Sequence, residues 1–194
     1  SLPNLKFVKE NVLNDLIEFT NQRIISHLGE LSISQDIIRA ICFSNPSTEN
    51  KIMNILDIKN KINTIIQLKG KADFSEIQKV ISRVSKLANN GNLTTTICSY
   101  RDCINPDLLE KECETKVFEF IKELEKVIKL SNWDYFQLFS LFETNFNNLN
   151  ELFDNEKGVL IMTENPELRN NRLNLLGLVR NFSLKIADFT LFNS

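Results

Sequence analysis

Apolar residues recur along this chain as a series of helical stripes separated by short polar breaks. Leu5, Val8, Val12, Leu16 and Phe19 lead into Arg23 on one stripe, with Ile17, Ile24 and Leu28 beside it, which predicts an amphipathic helix over about 5–28. Gly29 breaks that helix, and Ser32 with Gln35 forms a capping-box pattern for a short helix through Phe43. Pro46 and Ser47 interrupt the pattern. Ile52, Ile55, Leu56, Ile62, Ile65 and Ile66 then make a stripe that Gly70 ends. Asp73 or Ser75 caps the next helix, Ser75 pairing with Gln78 as a capping box, and Ile77, Val80, Ile81, Val84 and Leu87 face inward until Asn89, Asn90 and Gly91 stop it.

Residues 92–104 carry β-branched side chains without a helical period, so they read as a loop or a short extended insertion. Asn105-Pro106-Asp107 has the form of a helix start, with Leu109, Cys113, Val117, Phe120, Ile121, Leu124, Val127 and Ile128 carrying that helix to about Leu130. Ser131 reads as the cap of the following helix. Its residues Trp133, Phe136, Phe139, Leu141, Phe142, Phe146, Leu149 and Phe153 make the most aromatic face in the chain, read as core packed against the terminal helix. That last helix has Asn165 as N-cap, Pro166 at its first position, and Leu168, Leu175, Leu176, Val179, Phe182, Ile186 and Phe189 on one stripe.

The sum is an all-α helical bundle of about six or seven helices, with no βαβ alternation, repeat or low-complexity tract. Only 5 glycines and 4 prolines in 194 residues favour long helices over a turn-rich fold. A boundary, if there is one, falls near 45–49, making residues 1–45 the helical tail of a preceding domain and 46–194 the bundle proper. Ser1 in place of Met reads as a chain cut from something larger. No apolar run has the length a membrane span needs, and no signal-peptide pattern opens the chain.

Composition excludes more chemistry than it supplies. There is no phosphate-binding glycine loop, no nucleophile elbow and a single histidine, His27, so autonomous catalysis is not expected, nor is a bound cofactor. Cys42, Cys98, Cys103 and Cys113 form no C-x-x-C pair, which disfavours a metal site and leaves reduced thiols as the plain reading. A net charge of −2 does not announce a nucleic-acid binder, so any RNA contact must come from a local patch. Two patches are candidates. Lys79, Arg83 and Lys86 recur three and four apart on one helix face, with Lys69 and Lys71 near in sequence; they read either as phosphate contacts or as an ordinary solvated face. Arg169, Asn171 and Arg172 lie in the first turns of the last helix, where Arg opposes the helix dipole. They could read RNA bases or be held internally, for example by Glu164, Glu167 or Asp188.

The terminal motif carries a resemblance. Phe153-Asp154, then Val159, Ile161 and Met162, then Glu164-Asn165-Pro166 with Leu168, Arg169, Asn171, Arg172, Leu173, Leu175 and Leu176, and finally Ala187, Asp188 and Leu191 look like the C-terminal end of the β subunit of bacterial-type tetrameric glycyl-tRNA synthetase. The segment from Leu16 to Ile41 resembles the β-subunit stretch preceding its anticodon-binding helices, and Arg83-Val84 stands at the Arg-Val of the family's K-R-V-x-N pattern. The chain departs by about three extra residues between Asp154 and Val159, with Glu156-Lys157-Gly158 the natural candidates, which lengthens a surface loop.

This resemblance implies a DALR-type anticodon-binding domain, and a tRNA-binding fragment of a ligase that attaches glycine to tRNA(Gly) with ATP and Mg. The α subunit of an α2β2 tetramer would carry that chemistry. It implies a cytoplasmic protein, or an organellar one in a eukaryote, with no membrane or DNA partner. DALR domains also occur on arginyl- and cysteinyl-tRNA synthetases, so the glycine assignment rests on the terminal motif and the opening segment. The competing reading is a helical protein–protein interaction or scaffold module without direct RNA contact, which an exposed apolar patch would favour.

Overall fold

The structure, a computed structural model, describes residues 9–43 and 51–192. Among them are eight α-helices and no strand: α1 (Lys9–Glu30), α2 (Gln35–Cys42), α3 (Ile55–Lys69), α4 (Phe74–Ala88), α5 (Tyr100–Cys103), α6 (Glu112–Ile128), α7 (Tyr135–Glu151) and α8 (Pro166–Ser183). The all-α expectation therefore holds. The positions of Leu5 and Val8, and the boundary expected near 45–49, lie outside the described residues.

α8 is the axle of the bundle. Asn165 caps it through its side-chain oxygen, which accepts from the Glu167 and Leu168 N–H groups, and Pro166 opens the first turn. The sequence predicts one inward stripe. The structure instead buries nearly the whole circumference, including Asn171, Arg172, Arg180 and Asn181. α4 lies along one side of α8, α6 along another, and α7 closes the bundle by packing chiefly on α6 and α4. The aromatic face of α7 is core, as expected, with Phe139 and Phe142 fully buried. It shares one core with α8 and meets the segment after α8 through Phe139 and Phe189, whose rings lie 6.1 Å apart.

Several predicted helix boundaries move, each for a local reason. α1 runs through Gly29, and the break is made by Ser32, which adopts φ 60°, so Ser34 and not Ser32 is the N-cap of α2. Ser75 forms no capping box, because Gln78 is buried and its side-chain amide donates to the Phe189 carbonyl at 3.2 Å. Asn105-Pro106 starts only a 3-10 turn over Pro106–Leu108. α6 begins later, where the Glu114 carboxylate accepts from the Glu110 and Lys111 N–H groups. Asp134 rather than Ser131 caps α7, in a capping box with Gln137. Residues 92–99 are irregular and end in the single turn of α5.

α1 departs most from expectation. Of its apolar residues Ile17 and Leu28 are buried, whereas Val12, Leu16 and Phe19, the predicted inward stripe, are 49%, 57% and 61% exposed. α1 is tied to the start of α3 through Asn21, whose side chain donates to the Lys51 carbonyl at 3.0 Å and accepts from the Met53 N–H at 2.9 Å. Past α8 the chain folds back as a clasp. The Asp188 N–H donates to the Ala40 carbonyl of α2 at 2.7 Å, and the Phe189 and Phe192 rings pack against Phe74.

Candidate nucleic-acid interface

The two basic patches read from the sequence have different surroundings. Arg172 is 5% exposed. Its Nε donates to Glu114 at 2.8 Å, one terminal nitrogen donates to Glu110 at 2.8 Å, and the other donates to the Leu160 carbonyl at 3.1 Å. Glu114 is itself fully buried, so the pair neutralises two charges that could not stand alone in the interior. Asn171 mimics a backbone strand: it accepts from the Asn105 N–H at 2.8 Å and donates to the Asn105 carbonyl at 3.0 Å. Arg169 is half-buried and donates to the Thr163 carbonyl at 3.3 Å. None of the acids near in sequence, Glu164, Glu167 or Asp188, pairs with these arginines. The acids that oppose the dipole-unfavourable Arg172 come from the start of α6.

Lys79, Arg83 and Lys86 present the opposite case. All three are exposed on the outer face of α4, and among the described residues none of them has a hydrogen-bond or ion-pair partner. With Gln78, Ser82 and Leu87 they line an open groove of about 450 Å³. Arg83 alone has a neighbour: its guanidinium carbon lies 4.1 Å from the centre of the Phe153 ring, at the end of α7. Arg83 and Phe153, both singled out in the sequence but 70 positions apart, thus meet. Lys69 and Lys71 do not join the patch, since Lys69 pairs with Asp36 at 2.7 Å and Lys71 with Glu143.

The loop after Phe153 is held from behind. The Asp154 carboxylate accepts from the Glu156 and Lys157 N–H groups at 2.9 Å each, and the Val159 N–H closes the loop onto the Leu152 carbonyl. Gly158 is required there, because a Cβ would lie 2.4 Å from the Asp154 carbonyl oxygen and 2.6 Å from that of Leu152. The extra residues of this loop therefore form a closed turn that leaves Phe153 in place.

Sequence reasoning missed Arg180 and Asn181. The Arg180 guanidinium is buried without an acid partner. It donates to the Asn89 side chain at 3.0 Å and to the Leu93 and Thr94 carbonyls at 2.7 and 3.2 Å, and burial pulls its pKa down. Asn181 donates to the Thr94 and Thr96 carbonyls at 2.7 and 3.0 Å. Together they satisfy the backbone of the irregular 92–99 segment. Only the lack of helical period in that segment hinted that something else must hold it.

Other chemistry is sparse. His27 lies on the surface 3.2 Å from Glu30. Among the described residues no group of His, Cys, Asp and Glu could hold a metal ion, and no helix is long and apolar enough to cross a membrane. Of the four cysteines read as reduced thiols, two are brought together, because the turn of α5 carries Cys103 back to Cys98. Cys42 and Cys113 are free and buried, and burial pushes the Cys42 thiol up to about 11, which makes it a poor nucleophile.

No protein-family model matches the chain. Comparison with curated proteins gives consistent relatives of one class, aminoacyl-tRNA ligase components. The chain is 30% identical over 185 residues to the glycine–tRNA ligase β subunit of Picosynechococcus sp., and 30% identical over 186 residues to that of Gloeothece citriformis. The β subunit of Synechocystis sp. is 28% identical over 193 residues. Each alignment covers 93% of this chain, and the chain spans about a quarter (26–27%) of the length of these relatives. The resemblance carried by the terminal motif is thus shown: this chain is similar, along almost its whole length, to part of the glycine–tRNA ligase β subunit.

Proposed function

We propose that this helical domain binds tRNA(Gly) at the anticodon loop, as part of a glycine–tRNA ligase in which an α subunit carries the ATP- and Mg-dependent chemistry. The observation that supports it best is the row Lys79, Arg83 and Lys86. Among the described residues these cations have no acid partners, and they line a groove on a chain whose net charge is −2. Side chains left unpaired on a helix face suit the phosphate contacts that give RNA affinity its salt dependence. Arg172 and Asn171 contribute indirectly in this reading, by holding α8 against the 105–114 segment; Arg169, half-buried at the same end, remains an accessory candidate.

The test is a titration of the chain against tRNA(Gly), a transcript with altered anticodon bases and an unrelated tRNA, at two salt concentrations. The reading expects preference for the intact anticodon. Equal, salt-sensitive binding to all three would reduce the role to gripping phosphates, and absence of binding would overturn it.

A second reading has its own observation, the exposed apolar stripe Val12, Leu16 and Phe19 on α1, continued by Ile55 and Leu56, 61% and 67% exposed, at the start of α3. The curated relatives are roughly four times as long as this chain. Helices α1 and α2 then act as a tail whose α1 face docks additional β-subunit sequence, and the domain serves partly as a scaffold. The two readings concern different surfaces and are compatible.

A further inference from the structure

The groove on α4 holds two kinds of cation. Lys79 and Lys86 are point charges on flexible stems. Arg83 is a plane, its central carbon 4.1 Å from the centre of the Phe153 ring, with no hydrogen bond from its guanidinium to any described residue. A ring this close restrains the guanidinium beside the groove that Arg83 lines. Flat, oriented guanidinium planes are surfaces on which unstacked bases lie, and the N–H edge of such a plane can still donate to a base or a phosphate.

We infer that Arg83 and Phe153 form a base-stacking platform, on which one unpaired nucleobase lies against the guanidinium face opposite the ring while Lys79 and Lys86 hold the neighbouring phosphates. This rests on the proposal that α4 faces RNA, and it adds a division of labour: Lys79 and Lys86 supply affinity for any RNA, and Arg83 on Phe153 supplies selection for unpaired over paired bases. Lys79 and Lys86 lie seven positions apart, about 10 Å along the helix axis, with Arg83 between them, so a strand following α4 passes the platform between two phosphate contacts. The Asp154 turn and Gly158 fix the backbone that follows the ring, which makes the platform a rigid feature.

The experiment uses the chain itself with two RNAs of equal length, a hairpin presenting an unpaired loop and a continuous duplex, with a fluorescent purine analogue in the loop. The unaltered chain should prefer the hairpin and quench the analogue. R83K keeps the charge and removes the plane; it should weaken hairpin binding about 5- to 10-fold more than duplex binding and abolish the quenching. F153L should do the same while retaining helicity by circular dichroism, and R83K, which leaves the core untouched, decides the matter if F153L unfolds. K79Q should weaken both RNAs alike and lower the salt slope by about one. Retention of loop preference and quenching by R83K would overturn the platform while leaving RNA binding on α4 intact. Failure of the unaltered chain to bind either RNA would overturn the underlying reading, and the platform with it.

Discussion

Arg172 on α8 and Arg83 on α4 look alike in the sequence: each sits in a cluster of polar and basic residues on a strongly apolar helix. Arg172 is enclosed by Glu110 and Glu114, some 60 residues away, and by the nearer Leu160 carbonyl. Arg83 is exposed, and among the described residues the partner it has is a phenylalanine ring at the edge of the core. A buried cation is defined by the partners that neutralise it, and an exposed one by the partners it lacks. The lesson is that local spacing locates basic residues on a helix but does not say whether the far side of the fold has already claimed them. Functional candidates are best sought among cations left without partners.

That contrast can be broken by mutation, starting where the effect should be largest. R172M leaves the fully buried Glu114 without its counterion and should cost about 3–5 kcal/mol in denaturant unfolding. Pairing it with E114Q should recover part of that loss, and an additive double mutant would show that the pair is not coupled. N181A strips the Asn181 partner from the Thr96 carbonyl and leaves that of Thr94 to Arg180 alone, and should cost about 1–2 kcal/mol, with faster proteolysis between 92 and 98. K79Q and K86Q should change stability by less than about 0.5 kcal/mol. A larger loss at either position would mean that α4 is structurally engaged and that the contrast with α8 fails.

The smallest effect concerns acid. Burial works to raise the Glu125 pKa, but hydrogen bonds from Lys129, the Tyr100 N–H and Ser99 outweigh it, so its carboxyl titrates below its ordinary 4.5. A depressed folded-state value stabilises the fold above about pH 4.5, and that contribution is lost as pH falls through the folded value. Thermal melts of E125Q should therefore lose stability less steeply on acidification than those of the unaltered chain.

Helix positions were legible because burial on one side leaves a periodic trace. The Asn165-Pro166 start of α8 and the inward residues of α4 fell where the pattern placed them. What the pattern could not carry was anything decided by tertiary partners. α8 reads as amphipathic because its buried arginines and asparagines look polar until Glu114, Asn105 and Thr94 are set beside them. Gln78 leaves its expected capping box for a carbonyl 111 residues away. α1 shows the converse, since its stripe is real but nothing among the described residues covers it. At the candidate interface the sequence placed Lys79, Arg83 and Lys86 on one face, while the meeting of Arg83 with Phe153 needed the fold.

The clasp formed by residues 186–192 has a consequence for how the chain acquires its structure. The Ala40 carbonyl waits for the Asp188 N–H, a contact that closes about 150 residues, and Gln78 and Phe74 wait for Phe189. On a ribosome emitting residues at about 5–20 per second, the early helices emerge many seconds before their last partners. Helices α2 and α4 should therefore dwell as partly docked intermediates with apolar faces open until the clasp docks on them.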